Sequence, residues 1–421
     1  MRTLKPGDEG TLVKYVQFAL NRAGYANTID GEFGDETCAA LRAFLKREGT
    51  CEVSERTWEE LLPYIRGYRV HIVKKGDTLW KIAAENNAVL PMILAANPSV
   101  NPTSLQVGMP IKVPMQTEVV PTDIPYSSML VEWVVDGLTA RYPFLELGNI
   151  GNSVMDTPIP YLKIGSGNKQ VFYNASFHAN EWINTPVLLK FLEEYAQAFS
   201  ANRNLYGVNA RSLFREYELY IVPMVNPDGV DLVNGVLGSE KYYQQAVSIA
   251  RDYPQIPFPS GWKANIDGID LNLQFPAGWE QAKSIKFEQG YTKPAPRDFV
   301  GEAPLSAPES RAVYEFTKYH DFRLILAYHT QGEVIYWKYL NYNPNRALEI
   351  GEYFSKVSGY ELELTPSESG YAGYKDWFIL AYNRPGYTIE SGLGENPLPL
   401  SQFEKIYRDN YGILLGGMTQ I

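Results

Sequence analysis

Residues 170–199 read QVFYNASFHANEWINTPVLLKFLEEYAQAF, and this stretch indicates the fold of the larger part of the chain. Its first part, QVFYNASF, is typical of a buried strand, and its last part, TPVLLKFLEEYAQAF, has the apolar spacing of a helix. A strand that passes directly into a helix is the repeating unit of an α/β domain. The turn between them contains His178 and Glu181, at the kind of strand end where such sheets bind ligands.

Similar strand patterns recur downstream, in ELYIVPMVN at 218–226, RLILAYHT at 323–330 and GYTIES at 386–391. They alternate with helical patterns such as PESRAVYEFTKYH at 308–320. We therefore predict that residues 129–421 form one α/β domain with a mixed central sheet flanked by helices.

Three shorter segments precede this domain. Residues 1–66 show three helical patterns, the last with Ser54 as the expected N-cap, and are predicted to form a small three-helix module. Residues 69–114 begin and end as strands with two short helices between them, which predicts a small β-α-α-β module. Residues 115–128, MQTEVVPTDIPYSS, lack periodicity and are predicted to be a linker.

The composition excludes some classes of protein. The 421 residues carry a formal charge of -10 with an isoelectric point near 5.1, which argues against a nucleic-acid partner. The chain contains no apolar run of membrane-helix length, so we expect no membrane partner. The N-terminus lacks the pattern of an ordinary secretion signal. Of the two cysteines, Cys38 and Cys51, free buried thiols are the favoured interpretation, with a single bridge left open.

His329 is the candidate for a further metal ligand, because it ends the apolar pattern RLILAYH. His320 lies at a helix end and is expected to be structural. Two imidazoles and the Glu181 carboxylate leave one tetrahedral position open, which is typical of a catalytic zinc ion. Zinc activates water and polarises carbonyl groups, so one Zn²⁺ implies hydrolysis. Glu390, directly after the strand pattern GYTI, is the candidate general base.

Five motifs, FHANEW, VPMVNPDGV, GIDLNLQFP, LAYHTQG and GYTIESG, occur in this order between residues 130 and 421. Together they resemble the zinc metallocarboxypeptidases of the carboxypeptidase A type. The resemblance implies that His178, Glu181 and His329 hold the zinc ion. It also implies that Glu390 deprotonates the catalytic water and passes the proton to the leaving amine.

The chain departs from this family at several positions. Carboxypeptidases have Asn-Arg where this chain has Asn272-Leu273, and the arginine grips the free C-terminal carboxylate of the substrate. We therefore expect a substrate pocket, lined by these two residues, that does not require a terminal carboxylate.

Three further roles are carried over from the family onto weaker matches. Lys263 is the candidate oxyanion partner, with Asn265 as the alternative. Tyr371 is the candidate for the tyrosine that closes over the substrate, with Tyr374 as its rival. Arg384 lies near the base in sequence and is a candidate for binding a substrate carboxylate.

The N-terminal segments carry resemblances of their own. The turn DGEFGDET at 30–37 resembles that of peptidoglycan-binding domains, and VKKGDTLWKIA with GMPIKVP resembles the LysM module, which binds glycans containing N-acetylglucosamine. This domain order is similar to that of bacterial γ-D-glutamyl-meso-diaminopimelate endopeptidases. The resemblance implies peptidoglycan glycan strands and stem peptides as partners and hydrolysis of the γ-D-glutamyl-diaminopimelate bond. Together with the missing secretion signal, it predicts a cytoplasmic or sporulation-associated role on the wall or its fragments.

Three other functions remain open on the sequence. One is a metallocarboxypeptidase for ordinary peptides, which Leu273 disfavours. Another is an amidase that recycles free muropeptides, which leaves two wall-binding modules without a purpose. The last is an inactive wall-binding protein, which would require a lost ligand or base, although all four residues are present.

Overall fold

The computed structural model describes residues 1–46 and 51–421. These form two compact units, the first comprising Met1–Pro125 and Met129–Glu146 and the second Tyr126–Ser128 and Leu147–Ile421. Residues 129–146, which the sequence assigns to the α/β domain, thus belong to the first unit by their contacts. No helix among the described residues is both long enough and apolar enough to cross a lipid bilayer.

The N-terminal module contains the three expected helices, which are α1 Thr11–Arg22, α2 Asp35–Leu45 and α3 Glu55–Arg66. The predicted N-cap is confirmed, because the Ser54 side chain accepts a hydrogen bond from the Thr57 amide at 3.4 Å. The expectation of free thiols is wrong, since a disulfide joins Cys38 and Cys51.

A buried glutamine holds the turn between α1 and α2. The Gln17 side chain is 1% exposed and donates to Asp30 Oδ1 at 2.7 Å and to Thr37 Oγ1 at 3.0 Å. Its Oε1 accepts from the Gly31 amide at 2.9 Å. Gly31 has a φ of 87°, a conformation that glycine adopts without steric cost. The DGEFGDET turn is therefore ordered by side-chain hydrogen bonds from a helix.

The second module has the predicted β-α-α-β order, with β1 Tyr68–Ile72, α4 Leu79–Glu85, α5 Leu90–Ala96 and β2 Pro110–Pro114. The two strands pair antiparallel, and the core includes Ile82, Ile93 and Ile111. His71, in β1, contacts Asp77 Oδ2 at 2.8 Å.

The remaining helices and strands follow in chain order. The helices are α6 Ser128–Arg141, α7 Asn184–Ser200, α8 Ala210–Glu216, α9 Pro227–Val233, α10 Glu240–Arg251, α11 Trp279–Glu288, α12 Pro308–Lys318, α13 Ala347–Ser358, α14 Tyr374–Tyr382 and α15 Phe403–Thr419. The strands are β3 Glu146–Asn152, β4 Pro158–Gly165, β5 Lys169–Ala175, β6 Asn204–Leu205, β7 Val208–Asn209, β8 Tyr217–Val222, β9 Phe322–His329, β10 Val334–Tyr336, β11 Glu361–Glu363 and β12 Gly386–Glu390. Short 3₁₀ turns cover Ala179–Glu181, Leu271–Leu273 and Leu400–Gln402.

The eight-stranded sheet of the second unit has the order β11-β10-β12-β9-β5-β8-β4-β3. Its central strands β12, β9, β5 and β8 are parallel, whereas β4 and β10 pair antiparallel with their inner neighbours. This is the mixed sheet that the sequence predicts. Because β5, β9 and β12 are parallel neighbours, their carboxyl ends meet at one edge, where Glu390 lies directly opposite His329.

Aromatic side chains fill the space between this sheet and α12. Phe172 of β5 and Phe316 of α12 are nearly or fully buried, with ring centroids 5.4 Å apart. Phe322, at the start of β9, stacks on Phe172 at 5.0 Å. Burial of such large rings is the main stabilising contribution of a core and holds the strand ends in place.

One buried carboxyl group predicts a pH-dependent stability. Glu309, in the first turn of α12, is completely buried and accepts from the Val154 amide at 3.2 Å and from Asn265 Nδ2 at 3.1 Å. Burial raises the pKa of Glu309 to about 7. Since the folded state holds this proton more tightly than the unfolded state, the stabilisation is complete below the unfolded pKa and is lost as the pH rises through about 7.

We expect Glu309→Gln to remove this contribution. Between about pH 5 and about pH 8, the wild type should lose on the order of 2–3 kcal/mol more unfolding free energy than the variant, as measured by urea unfolding. Glu315→Gln, an exposed position on the same helix, is the control and should keep the wild-type pH dependence. An identical pH dependence in Glu309→Gln and the wild type would contradict the prediction.

Candidate metal centre and active site

Three side chains converge just beyond the carboxyl ends of β5 and β9. His178 and Glu181 lie in the turn after β5, and His329 ends β9. The Nδ1 atoms of His178 and His329 lie 2.9 and 3.0 Å from the two carboxylate oxygens of Glu181, and 3.2 Å from each other. Their candidate ligand atoms all lie within 4.8 Å of one another. The sheet thus brings together residues that are about 150 positions apart in the sequence.

The chemistry of this donor set fits a zinc ion. Glu181 and His329 are each 1% exposed. Burial alone would raise the pKa of Glu181, but the charges of His178 and Lys263 outweigh it and hold the pKa well below its usual range. Two imidazole nitrogens and an ionised carboxylate facing one point are the ligands of catalytic zinc sites. His178, Glu181 and His329 would hold one such ion.

An aspartate behind the cluster orients one of the imidazoles. Asp270 is 4% exposed, and its Oδ1 lies 3.2 Å from Nε2 of His178, the nitrogen that faces away from Glu181. Its Oδ2 accepts from the Asp298 amide at 3.1 Å. An outer carboxylate of this kind sets the ring orientation and makes the imidazole a stronger ligand.

We expect Asp270→Asn to lower zinc affinity by ~10–100-fold, the usual cost of losing an outer-shell partner. The amide keeps the shape of the side chain but removes the negative charge beside His178. Zinc affinity measured by competition with a chromogenic chelator tests the expectation. Asp267→Asn, on the same loop, is the control, and equal affinities for the two variants would contradict the role of Asp270.

Glu390, the candidate base, ends β12 and lines two adjoining cavities of about 520 and 220 Å³. Burial and the nearby charge of Glu181 raise the pKa of Glu390 to about 8, while the charges of Lys263 and His178 act in the opposite direction. A carboxylate with a raised pKa next to a substrate cavity is suited to accept a proton from water. The structure thus places Glu390 with the predicted ligands.

Lys263 is also in the site. Its Nζ donates to Glu181 Oε1 at 2.8 Å, and its side chain lines both cavities. Asn265, the alternative oxyanion donor, is fully buried and points elsewhere, since its Nδ2 is bound to Glu309 and its Oδ1 accepts from the Ile269 amide at 3.0 Å. Of the two, only Lys263 reaches the cavity.

Asn272 and Leu273 both line the smaller cavity. The Asn272 Oδ1 accepts from the Tyr374 amide at 3.0 Å, so this side chain also supports the start of α14. Leu273 is 8% exposed and packs in an apolar cluster with Trp279, Val300 and Ala372. An apolar side chain therefore occupies the position at which carboxypeptidases have a carboxylate-binding arginine.

Neither tyrosine candidate is in the cavities. Tyr371 packs against the apolar cluster of Leu273, close to Gly278. Tyr374 is fully buried, and its hydroxyl lies 2.9 Å from Thr317 Oγ1. The tyrosine that lines both cavities is Tyr336, which ends β10. No motif in the sequence points to Tyr336, because a tyrosine in a short strand is far more often a packing residue.

The structure does not bring Arg384 to the site. Its Nη1 donates to the Phe322 carbonyl at 2.7 Å and pairs with Asp321 at 2.8 Å. Phe322 begins β9 and His329 ends it, so Arg384 lies at the opposite end of the strand. His320 likewise contacts the Phe316 carbonyl at 2.7 Å, in agreement with its expected structural role.

A second missed residue is Arg297, which lines both cavities with Lys263, Tyr336 and Glu390. It lies in the loop PAPRDFV, whose sequence shows no periodicity and matches none of the motifs above. The only available signal was an arginine beside an aspartate, which is usually a surface pair.

Comparison with known proteins places this geometry in a family. A family model described as zinc carboxypeptidase matches residues 131–412, and a LysM domain model matches residues 71–114. The chain is thus a zinc metallopeptidase by fold and site, with a LysM domain before the catalytic part. It belongs to the zinc carboxypeptidase family.

Two similar sequences extend this result. The chain is 43% identical over 402 residues to gamma-D-glutamyl-L-diamino acid endopeptidase 1 of Lysinibacillus sphaericus, covering 82% of this chain and 99% of that protein. It is 42% identical over 291 residues to the uncharacterized protein YqgT of Bacillus subtilis (strain 168), covering 69% and 76%. A crystal structure of thrombin-activatable fibrinolysis inhibitor shares the fold with a TM-score of 0.56 at 15% identity, covering 84% and 98%. The predicted fold class, hydrolase class and zinc cofactor are confirmed.

Proposed function

We propose that the chain is a zinc-dependent endopeptidase that hydrolyses the γ-D-glutamyl-diaminopimelate bond of bacterial cell-wall stem peptides. The observation that carries this proposal is the similarity over 99% of the length of a protein named as a γ-D-glutamyl-L-diamino acid endopeptidase. The cluster of His178, Glu181, His329 and Glu390 supports the hydrolytic chemistry. The apolar Leu273 in the cavity supports a substrate other than a free peptide C-terminus.

The zinc ion, when bound, supplies a Lewis acid that polarises the scissile carbonyl and increases the acidity of water. Glu390 Oε accepts the proton of the attacking water, and the same carboxyl group donates it to the leaving amine of diaminopimelate. Lys263 places a positive charge beside the site, where it stabilises the negative charge that develops on the carbonyl oxygen. Asp270 keeps the His178 ring oriented throughout.

Leu273 and Asn272 give the smaller cavity its specificity in this proposal. A buried arginine would need a carboxylate partner, and leaving it unpaired would cost several kcal/mol. With leucine at this position, a peptide that continues beyond the leaving residue meets no unpaired charge there. The enzyme then acts on D-Ala-extended stem peptides as well as on tripeptides. Tyr371, which packs beside Leu273, supports the cavity wall in this proposal and does not close over the substrate.

The N-terminal modules are proposed to bind peptidoglycan glycan strands. Residues 69–114 contain the matched LysM domain, and residues 1–66 contain the helical turn that resembles peptidoglycan-binding domains. Tethering to glycan raises the local concentration of stem peptide at the catalytic domain of 129–421 without new active-site contacts, provided that the 115–128 linker allows both to bind. Action on the wall or its fragments during sporulation is part of the same proposal.

One exposed aromatic residue offers a test of glycan binding. Trp80, in the first turn of α4, is 72% exposed, and sugars stack well on such indole rings. We expect Trp80→Ala to weaken binding of chitin oligosaccharides by about tenfold, measured by calorimetry, because a lost stacking contact costs on the order of 1 kcal/mol. Hydrolysis of short soluble stem peptides should be unchanged. Wild-type glycan affinity in the variant would remove Trp80 from the binding surface.

Mass spectrometry of two synthetic peptides tests the function. The zinc-loaded wild type and Glu390→Gln are incubated with L-Ala-γ-D-Glu-diaminopimelate and with its D-Ala-extended form. Cleavage between D-Glu and diaminopimelate in both peptides, by the wild type alone, is the expected result. Loss of only the terminal D-Ala from the extended form would establish a carboxypeptidase. Cleavage of the free tripeptide but not of the extended form would favour the muropeptide amidase.

A further inference from the structure

Four residues stand at the junction of the two cavities. Lys263, Arg297, Tyr336 and Glu390 line both the larger and the smaller cavity, whereas the other lining residues belong to one of them. Since Glu390 is the base of the proposed reaction, the junction is where the scissile bond has to lie. Arg297 is therefore close to the groups of the substrate that flank this bond.

The other basic side chains of the cavities are already engaged. Lys263 Nζ is bound to Glu181, and Lys286 Nζ pairs with Asp298 Oδ1 at 2.6 Å. Lys375 is 3% exposed, and its Nζ contacts Asp376, the Lys338 carbonyl and Thr365 Oγ1. Each of these ammonium groups thus already makes an ion pair or hydrogen bonds within the protein.

Arg297 differs from these lysines. Its Nε donates to Asp298 Oδ2 at 2.6 Å, and its side chain is 42% exposed. Within the described part of the chain, neither terminal nitrogen of the guanidinium has a hydrogen-bond partner. A guanidinium fixed through Nε presents its two remaining nitrogens side by side, an arrangement that binds a carboxylate in bidentate fashion.

The loop holds this guanidinium in place. On one side of Arg297, the Pro296 carbonyl accepts from the Lys263 and Ala264 amides at 2.7 and 2.9 Å. On the other side, Asp298 adopts a φ of 66°, a left-handed conformation that is costly outside glycine, and its amide donates to Asp270. Asp270 contacts the metal ligand His178, so Arg297 is positioned relative to the metal centre by a short chain of hydrogen bonds.

A γ-linked glutamyl residue carries a charge that suits this position. Its side chain forms the scissile amide, so its α-carboxylate stays free on the acyl side of the bond, whereas an α-linked peptide has no such group. We propose that Arg297 pairs with this α-carboxylate and thereby selects γ-glutamyl over α-linked substrates, an inference that rests on the proposed function. Arg297 is then a specificity-determining residue. It recognises a substrate carboxylate in a chain that has Leu273 where carboxypeptidases have their carboxylate-binding arginine.

The test compares substrates that differ in one group. The parent peptide is L-Ala-γ-D-Glu-diaminopimelate-D-Ala, and one analogue has the glutamyl α-carboxylate replaced by a carboxamide. A second analogue has the C-terminal carboxylate replaced by a carboxamide. We measure kcat/KM for the wild type, Arg297→Gln, Arg297→Lys and the exposed control Arg323→Gln, which lies at the far end of β9.

The wild type and Arg323→Gln should prefer the parent over the glutamyl amide by ~10–100-fold, the usual range for a charge-assisted hydrogen bond. Arg297→Gln should lose this preference while cleaving the glutamyl amide as fast as the wild type does. Arg297→Lys should retain part of the preference. A purely structural role would instead lower kcat/KM for all substrates equally and would overturn the proposal. The proposal would also be overturned if Arg297→Gln changed only the discrimination between the parent and the C-terminal amide.

Binding separates this inference from the proposed function. Calorimetry with the inactive variant Glu390→Gln measures the affinity for the parent and the glutamyl amide without turnover. In one outcome, the wild type cleaves neither peptide, Glu390→Gln binds the parent more tightly than the glutamyl amide, and adding Arg297→Gln abolishes this difference in affinity. The carboxylate site then stands and the proposed function fails. If cleavage occurs with equal affinity for both peptides, the proposed function stands and the carboxylate site fails.

Discussion

Glu390→Gln is expected to lower kcat by ~10²–10⁴-fold, the range that general-base catalysis contributes. The amide is isosteric with the carboxylate but cannot accept a proton from water. Glu390 ends β12, lies opposite His329 and lines both cavities, so the substitution removes the base without disturbing the sheet. The measurement is kcat on the D-Ala-extended stem peptide, with zinc content determined for the same sample.

The control for this experiment is Glu361→Gln. Glu361 begins β11, the edge strand of the same sheet, and its side chain is exposed. This variant should retain wild-type kcat, while both variants should bind one zinc ion per chain. A Glu390→Gln variant that keeps its zinc and wild-type kcat would assign the base to another residue.

His329→Ala should abolish zinc binding at stoichiometric concentrations, and with it the hydrolytic activity. The loss of a direct ligand should lower zinc affinity by more than the ~10–100-fold that follows the loss of an outer-shell partner. The remaining ligands, His178 and Glu181, belong to one turn, and Lys263 then competes as a cation for Glu181. Equilibrium dialysis followed by elemental analysis measures the zinc content.

His320→Gln is the matched control for this second prediction. The His320 ring is held by the Phe316 carbonyl and stacks on Phe322 at 4.9 Å, at the opposite end of β9 from the metal centre. The His320→Gln variant should bind one zinc ion per chain, as the wild type does. Zinc retention by His329→Ala together with loss in His320→Gln would reverse the assignment of the third ligand.

Much of the fold follows from local sequence patterns. The alternation of buried strands and amphipathic helices predicts an α/β domain, and the two N-terminal modules show their helices and strands in order. These predictions succeed because hydrophobic periodicity depends on nearby residues alone. The expectation of free thiols was wrong, since the pairing of Cys38 and Cys51 depends on how close the folded chain brings them.

The sequence by itself identified the candidate metal ligands and the candidate base, because His178, Glu181, His329 and Glu390 each lie at or just after the end of a strand pattern, and parallel strands end at a common edge. Only the tertiary structure decided which other residues reach the cavities. It places Tyr371 and Arg384 outside the cavity linings and brings Tyr336 and Arg297 into them. The physical reason is that these side chains are placed by loop hydrogen bonds and strand register between distant segments, which no local pattern records.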